Sequence, residues 1–371
     1  MKRLLCIVII YSLCQLKIAA QDVNNSNRDD INEVGIFYAE IYSQAFFDNI
    51  EFFNKIQEGY TLTGFNLEPR IAYSVGPKAK FSTGAHMLYY SGQNELARFV
   101  PVLTFSARLM QNLVLNIGTI ELGNCHNLPE QLFKAERMFT HRPENGLQII
   151  MNSESYTSDL WVNWESFIQH GDLKQEEFTF GYSSVFKALG GNGLNIDVPI
   201  YMLAVHRGGQ INVSNERVST LMNAASGVDF SYPFYIDKKV GFEFLYFLGR
   251  DLSPNPHHVY QKGWAMFPKV YFKSASMLID AGYWRASEMI LPRGEEIFGS
   301  ASTLGSEYNS PQRDLIFSNI AYGTELVKGF RLALGGQLYF DIKQPLLDYS
   351  FSVVGTFNES FLLGGKRSKI H

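Results

Sequence analysis

The chain has 371 residues, of which 46% are hydrophobic and 14% aromatic against 18% charged, with a formal net charge of −4. Ordinary globular usage is about 25% charged, so the composition is aromatic-heavy and charge-light, and its mild acidity argues against a nucleic-acid partner. After residue 20 no run of 18 apolar residues exists, which excludes crossing a membrane with helices and leaves a closed β-barrel as the other way to satisfy every backbone group in lipid.

Taken in chain order, Lys2 and Arg3 precede an apolar run from Leu4 to Cys14 that is too short to span a bilayer, followed by Ala19 and Ala20. This reads as a secretory signal peptide over 1–20, cut after Ala20. Lipidation at Cys14 is the weaker reading, because bulky Leu13 and Tyr11 precede it. Removing the segment takes away Lys2, Arg3 and Lys17 and shifts the net charge from −4 to −7. Cys6 and Cys14 leave as well, so Cys125 remains alone and no internal disulfide can form. Residues 21–35 read as a polar periplasmic leader, 36–362 as the barrel and 363–371 as a polar tail.

The barrel reading rests on a period of two. In DLWVNWESFI, Leu160, Val162, Trp164 and Ile168 share one face, while Asp159, Asn163 and Glu165 share the other, with Trp161 and Phe167 as exceptions. In KGFRLALGGQLYFDI, Phe330, Leu332, Leu334, Leu338 and Phe340 oppose Arg331, Gln337 and Asp341. About sixteen such segments, within a range of 14–18, are expected near 36–49, 60–73, 80–90, 98–109, 112–122, 145–153, 158–168, 175–186, 194–206, 217–232, 239–249, 261–272, 275–286, 313–324, 329–342 and 348–361. That makes the fold class all-β, a transmembrane antiparallel barrel. Short and long connections alternate, as in outer-membrane barrels. The longest, 123–144 and 287–312, fall at the same end, the expected cell exterior.

The segments Phe46 to Phe52, Gly59 to Tyr73, Asp159 to Ile168, Val205 to Ile211 and Ala281 to Ala286 resemble an uncharacterised family of porin-like outer-membrane barrels of Bacteroidota. The resemblance runs from about 36 to 362. It implies an outer-membrane barrel and supplies no substrate or catalytic residue. Such barrels usually end on an aromatic read by the barrel assembly machinery; here ten residues follow Phe361.

If the oily parity faces lipid, the wet parity faces a lumen. The expected pore-lining residues are Glu68, Arg70, Arg108, Asp159, Glu165, Glu177, Asp229, Glu243, Lys269, Asp280, Arg331 and Asp341. Opposed charges there select polar solutes or else pair and fill the lumen. Trp161, Trp164, Trp264 and Trp284 are assigned to an aromatic girdle, with Trp161 the exception by parity. His206 and Arg207 read as a turn rather than an anion site, and His257 and His258 as solvated rather than metal-binding. No GxSxG elbow or Ser/His/acid set is present. The expected function is passive passage of small hydrophilic solutes, without enzymatic activity or cofactor; the partners are outer-membrane lipid, polar solutes and the assembly machinery. The rivals are a barrel-scaffolded lipid- or lipopolysaccharide-modifying enzyme, marked by a Ser–His pair on the lipid-facing rim, and a loop-plugged binding or assembly platform.

Overall fold

The computed structural model describes residues 35–365 except 124, 192, 210, 212 and 305–307. The expected signal peptide, nearly all of the leader and the last six residues lie outside them. Sixteen strands form one closed antiparallel barrel in chain order. They are β1 (Ile36–Glu51), β2 (Tyr60–Gly76), β3 (Ala79–Tyr90), β4 (Arg98–Met110), β5 (Leu113–Thr119), β6 (Asn145–Asn152), β7 (Tyr156–Ser166), β8 (Glu177–Leu189), β9 (Asn195–Arg207), β10 (Ser219–Tyr235), β11 (Lys238–Asp251), β12 (Lys262–Lys273), β13 (Met277–Ser287), β14 (Gln312–Val327), β15 (Phe330–Asp341) and β16 (Leu346–Gly365).

The ring closes through β1 and β16, paired from Ile36↔Gly365 to Glu51↔Tyr349. Closure removes both sheet edges and hands every ladder N–H and C=O a partner. One parity of each strand points outward and is apolar, as at Ile71, Phe105, Ile200, Phe242, Ile320 and Phe351, all exposed on the isolated chain. The other parity points inward and carries Asn66, His86, Asn116, Gln148 and Thr179, all fully buried.

Connections alternate between two ends. Turns 77–78, 111–112, 236–237 and 328–329 have two residues each, whereas 120–144 and 288–311 lie at the opposite end with the other long connections. β5 is shorter than its parity suggested, because after Thr119 the chain leaves the wall and turns into the lumen. Ile120 N–H still donates to Glu144 O at 3.0 Å as it departs.

Gly181 shows how tightly the inner wall is fitted. A Cβ there would lie 2.3 Å from the Trp161 ring. Gly181→Ala is expected to destabilise the barrel by about 1–3 kcal/mol through overpacking, read as a lower midpoint for the heat-induced shift in gel migration. Trp161→Phe should recover much of that loss in the double variant.

Candidate functional site at the mouth of a plugged lumen

The lumen is plugged from its long-loop end. Segments 120–144 and 288–311 fold inward and bring Leu128, Leu132, Phe133, Ile297 and Phe298 against inward wall residues Trp161, Leu203, Phe247, Phe267, Trp284 and Tyr339 in one buried cluster. The two segments are joined by backbone hydrogen bonds, Lys134 N–H to Arg293 O and Glu295 N–H to Glu130 O, each 2.9 Å. Gly294 permits this approach, since a Cβ would sit 2.0 Å from Gln131 O.

Polar ties pin the plug to the wall. Trp284 Nε1–H donates to Phe298 O at 2.9 Å and Arg313 donates to Ile297 O at 2.8 Å. Arg137 and Arg293 both reach Glu165, at 3.2 and 3.1 Å. The Arg142 guanidinium lies 4.3 Å from the centre of the Tyr42 ring. Gln337 donates to Glu130 at 2.9 Å. His126 is the deepest tie. It is bound to Asp159 at 2.8 Å and Glu144 at 3.1 Å, and stacks on Trp161 with ring centroids 4.1 Å apart. Cys125, His126 and Asn127 hold φ of 49°, 54° and 56°. This left-handed run is costly for residues with side chains and persists only where its surroundings over-determine it. Burial lowers the His126 pKa, but hydrogen bonds to Asp159 and Glu144 outweigh it and raise the group to about 9, so the imidazolium is a buried cation between two carboxylates. Burial pushes the Cys125 thiol up to about 12, which leaves it an unreactive core residue.

The twelve expected pore-lining residues all stand at inward positions, and most are tied to plug or wall. Arg70 donates to Glu68 at 2.9 Å, and Glu68 also meets His86 at 3.0 Å. Asp159 holds His126, while Glu165 and Glu177 meet Arg293. Glu243 pairs with Lys269 at 2.8 Å, Asp229 accepts from Tyr271 at 2.9 Å, and Asp280 accepts from Asn319 at 2.9 Å. Asp341 pairs with Arg313, and Arg331 lies opposite Glu325 in the ladder. Arg108 lies opposite Val114 near the short-turn end. Of the tryptophans, Trp164 and Trp264 face outward, 42% and 37% exposed, whereas Trp161 and Trp284 are 0% exposed inside the barrel. The girdle assignment of Trp284 is therefore corrected: Phe298, which comes from a distant loop, makes its inward side apolar at 5.3 Å between ring centroids.

An opening lies above the ends of β1 and β2. This cavity of about 670 Å³ is lined by Phe52, Phe53, Asn54, Gln57, Tyr60, Lys134, Glu296 and Leu304, among others. Lys134 Nζ sits 3.0 Å from Glu296 and 3.7 Å from Glu136. The Tyr60 hydroxyl donates to Glu136, at the start of the short helical turn Arg137–Thr140. Burial raises the Glu136 carboxyl, with Glu296 and Asp48 adding to it, to about 7. In the same turn His141 Nδ1 lies 2.7 Å from the Thr140 hydroxyl. Burial and the Arg137 charge lower its imidazole to about 4, so it is neutral at pH 7. Below the cavity, the outward face of the strand ends is polar: Thr61 donates to Asn49, and Asn49 donates to Glu51 at 2.9 Å. A cleft with apolar flanks and an ammonium in its lining, backed by the Glu136 carboxyl that Tyr60 and Lys134 reach from that lining, has the marks of an acid–base site.

None of Glu136, Lys134 or Tyr60 was singled out from sequence. The available signal was the apolar set Leu132, Phe133, Met138 and Phe139 within a connection expected at the cell exterior. On the outward rim a hydroxyl–imidazole pair does occur, His206 Nδ1 to Thr220 Oγ1 at 2.8 Å, with His206 Nε2 2.7 Å from Gly208 O. Phe178 packs beside that ring at 5.0 Å and Trp164 beside Phe178 at 5.0 Å. His206 thus belongs to an outward aromatic row. His258 turns to Asp251 at 2.9 Å.

A closed barrel with an apolar outer face, a plugged lumen and a titratable cleft at its mouth defines the class: a β-barrel of the outer-membrane type. Residues 29–366 match the Lipid A 3'-O-deacylase-type family, and the chain belongs to it. This overturns the expectation that the protein is not an enzyme, because the family takes its name from an enzymatic activity. Its fold is also that of OprD of Pseudomonas aeruginosa. An improved crystal structure of OprD aligns with a TM-score of 0.54 at 9% identity, over 91% of this chain and 99% of that one. A second OprD structure aligns with a TM-score of 0.51 at 8% identity, over 96% of this chain and 100% of that one. The porin-like resemblance therefore holds at the level of fold. No curated protein matches the chain in sequence.

Proposed function

We propose that this protein is an outer-membrane esterase that removes an acyl chain from a lipid A-type glycolipid, with the barrel as its scaffold. The carrying observation is the family membership, joined to a cleft at the barrel mouth whose lining residues Tyr60 and Lys134 adjoin Glu136, a carboxyl that burial raises to about 7. Ionised Glu136 takes a proton from water, and that water attacks the acyl carbonyl. The Lys134 ammonium balances the charge forming on the carbonyl oxygen. The carboxyl proton then passes to the departing sugar alkoxide, which restores Glu136. Phe52, Phe53 and Leu304 offer the acyl chain an apolar flank, and the polar strand ends at Asn49 and Thr61 open the wall toward an ester at the lipid–water boundary.

The test incubates the detergent-purified protein with lipid A-bearing lipopolysaccharide and follows its mass. Loss of one acyl chain is expected; an unchanged lipid A mass over many hours would overturn the reading. Passive solute passage is the second reading, favoured by the OprD-like fold. It requires displacement of segments 120–144 and 288–311. Planar-bilayer recording at neutral pH is expected to show no steady channels while the plug is docked.

A further inference from the structure

We propose that the outward rim of β11–β15 binds the phosphate-bearing headgroup of a membrane lipid. The inference rests on the barrel lying in a bilayer and is independent of ester cleavage. Among the described residues, the Asp, Glu, Lys and Arg side chains at outward strand positions are few. Toward the long-loop end they are Glu51, Arg250, Lys262, Arg285 and Asp314; toward the short-turn end they are Lys238 and Glu359. The basic members at the long-loop end stand on three consecutive strands, β11, β12 and β13. The outward positions of β1–β10 carry no lysine or arginine among the described residues.

Arg250 and Lys262 face each other across β11 and β12, one step beyond the pair Leu248 and Trp264, and two steps beyond Tyr246 and Met266. Tyr246 and Trp264 stack with ring planes 12° apart. Moving up this face, the wholly apolar side chains of Val240, Phe242, Phe244 and Val270 give way to amphipathic Tyr246 and Trp264 and then to the cations Arg250 and Lys262. That is the order in which a lipid presents acyl chains, its interfacial region and phosphate. Arg250 and Lys262 have no ion-pair partner among the described residues, and both border a small recess shared with Tyr260 and Glu288. Further round, Arg285 lies 3.9 Å from Asp314 and Lys343 lies 3.3 Å from it. Lys343 Nζ also donates to Gln312 at 2.6 Å, and the Tyr283 hydroxyl donates to Asp314. Arg285 and Lys343 are 49% and 41% exposed, so Asp314 holds both cations without covering them. Arg250, Lys262, Arg285 and Lys343 therefore outnumber the carboxylates Asp314 and Glu288 along the strip. A dianionic phosphate is the ligand that such spaced donors suit.

The test uses the full chain in detergent micelles, with bound lipid read by native mass spectrometry. The probes are diphosphorylated lipid A, the same lipid with its phosphates removed, and inorganic phosphate. The wild type is expected to prefer the diphosphorylated lipid. The R250Q/K262Q/R285Q/K343Q variant is expected to bind it about 100-fold more weakly, while K238Q/K328Q at the short-turn end binds it as the wild type does. D314N, which frees Arg285 and Lys343, is expected to tighten binding and keeps the proposal testable should the fourfold variant fail to assemble. Unchanged affinity in a folded fourfold variant, no change in D314N, or equal binding of the dephosphorylated lipid would each overturn the proposal. Inorganic phosphate competing as strongly as the lipid would assign the strip to a free anion and also overturn it. Loss of acyl release without loss of lipid binding would count against the proposed esterase alone.

Discussion

Glu136→Gln is expected to abolish most acyl release, by about 10²- to 10⁴-fold in kcat, while the barrel keeps its heat-modifiable migration. The amide keeps the size of the carboxyl and can still accept from Tyr60, but it cannot take a proton from water. General base catalysis contributes on that scale. The pH profile gives a second readout. The carboxyl is raised to about 7, by burial first and by the neighbouring Glu296 and Asp48 after it. A base acts only when ionised, so the rate should climb as pH rises through 7 and level off above it. Lys134→Met should depress kcat and move that inflection to higher pH, because it removes a cation 3.7 Å from the carboxylate. Full activity in Glu136→Gln, measured by the mass of released fatty acid, would remove the carboxyl from the mechanism.

His126→Ala is expected to undock the plug. The substitution leaves Asp159 and Glu144 buried around a void, and breaking a buried ionic set by removing one partner costs about 3–5 kcal/mol. The wild type should show the same weakness at alkaline pH. His126 is raised from its ordinary 6.5 to about 9, with burial opposing and the two carboxylates prevailing. A group raised in the folded state contributes fully below its unfolded pKa and loses that contribution as pH rises through the folded one. The His126 share is therefore present below about 6.5 and lost between there and about 9. Glu130, raised by burial to about 7, and Glu295, raised well above the usual carboxylate range by burial and by Glu130, work in the same direction. Each favours a docked plug in its protonated form and opposes it once ionised. Bilayer conductance should therefore appear on raising the pH from 7 to 9, and appear already at pH 7 in His126→Ala. A closed barrel throughout that range would show that the apolar cluster around Phe298 and Trp161 holds the plug by itself.

Much of the wall could be read from residues in isolation, because a strand's two faces follow from parity alone. Leu160, Val162 and Trp164 go outward because they alternate with Asp159, Trp161 and Asn163, and no distant residue is needed to say so. Trp161 already stood on the polar parity, and it does lie inside. The strand count and the asymmetry of the two ends follow from the same local rule, together with the placing of two-residue turns. β9 was the warning. Tyr201, Leu203 and Val205 are apolar on the inward face, a feature that a water-filled lumen does not explain.

The plug answers that warning, and no local rule announces it. Leu132, Phe133, Ile297 and Phe298 sit in connections between strands, where sequence periodicity carries no direction. Their burial depends on two segments more than 140 positions apart meeting inside the closed ring. The same meeting turns Trp284 from a girdle candidate into a core residue and converts the inward charges into ties. It also shapes the cleft at which Lys134 and Glu136 of one connection meet Tyr60 of β2 and Glu296 of the other connection. The alternation of side chains along each strand thus determined the barrel, since backbone geometry repeats every two residues whatever lies elsewhere. Only the tertiary structure decided what occupies its interior and where a carboxyl sits near neutrality, because burial and electrostatic neighbourhood are set by distance in space rather than along the chain.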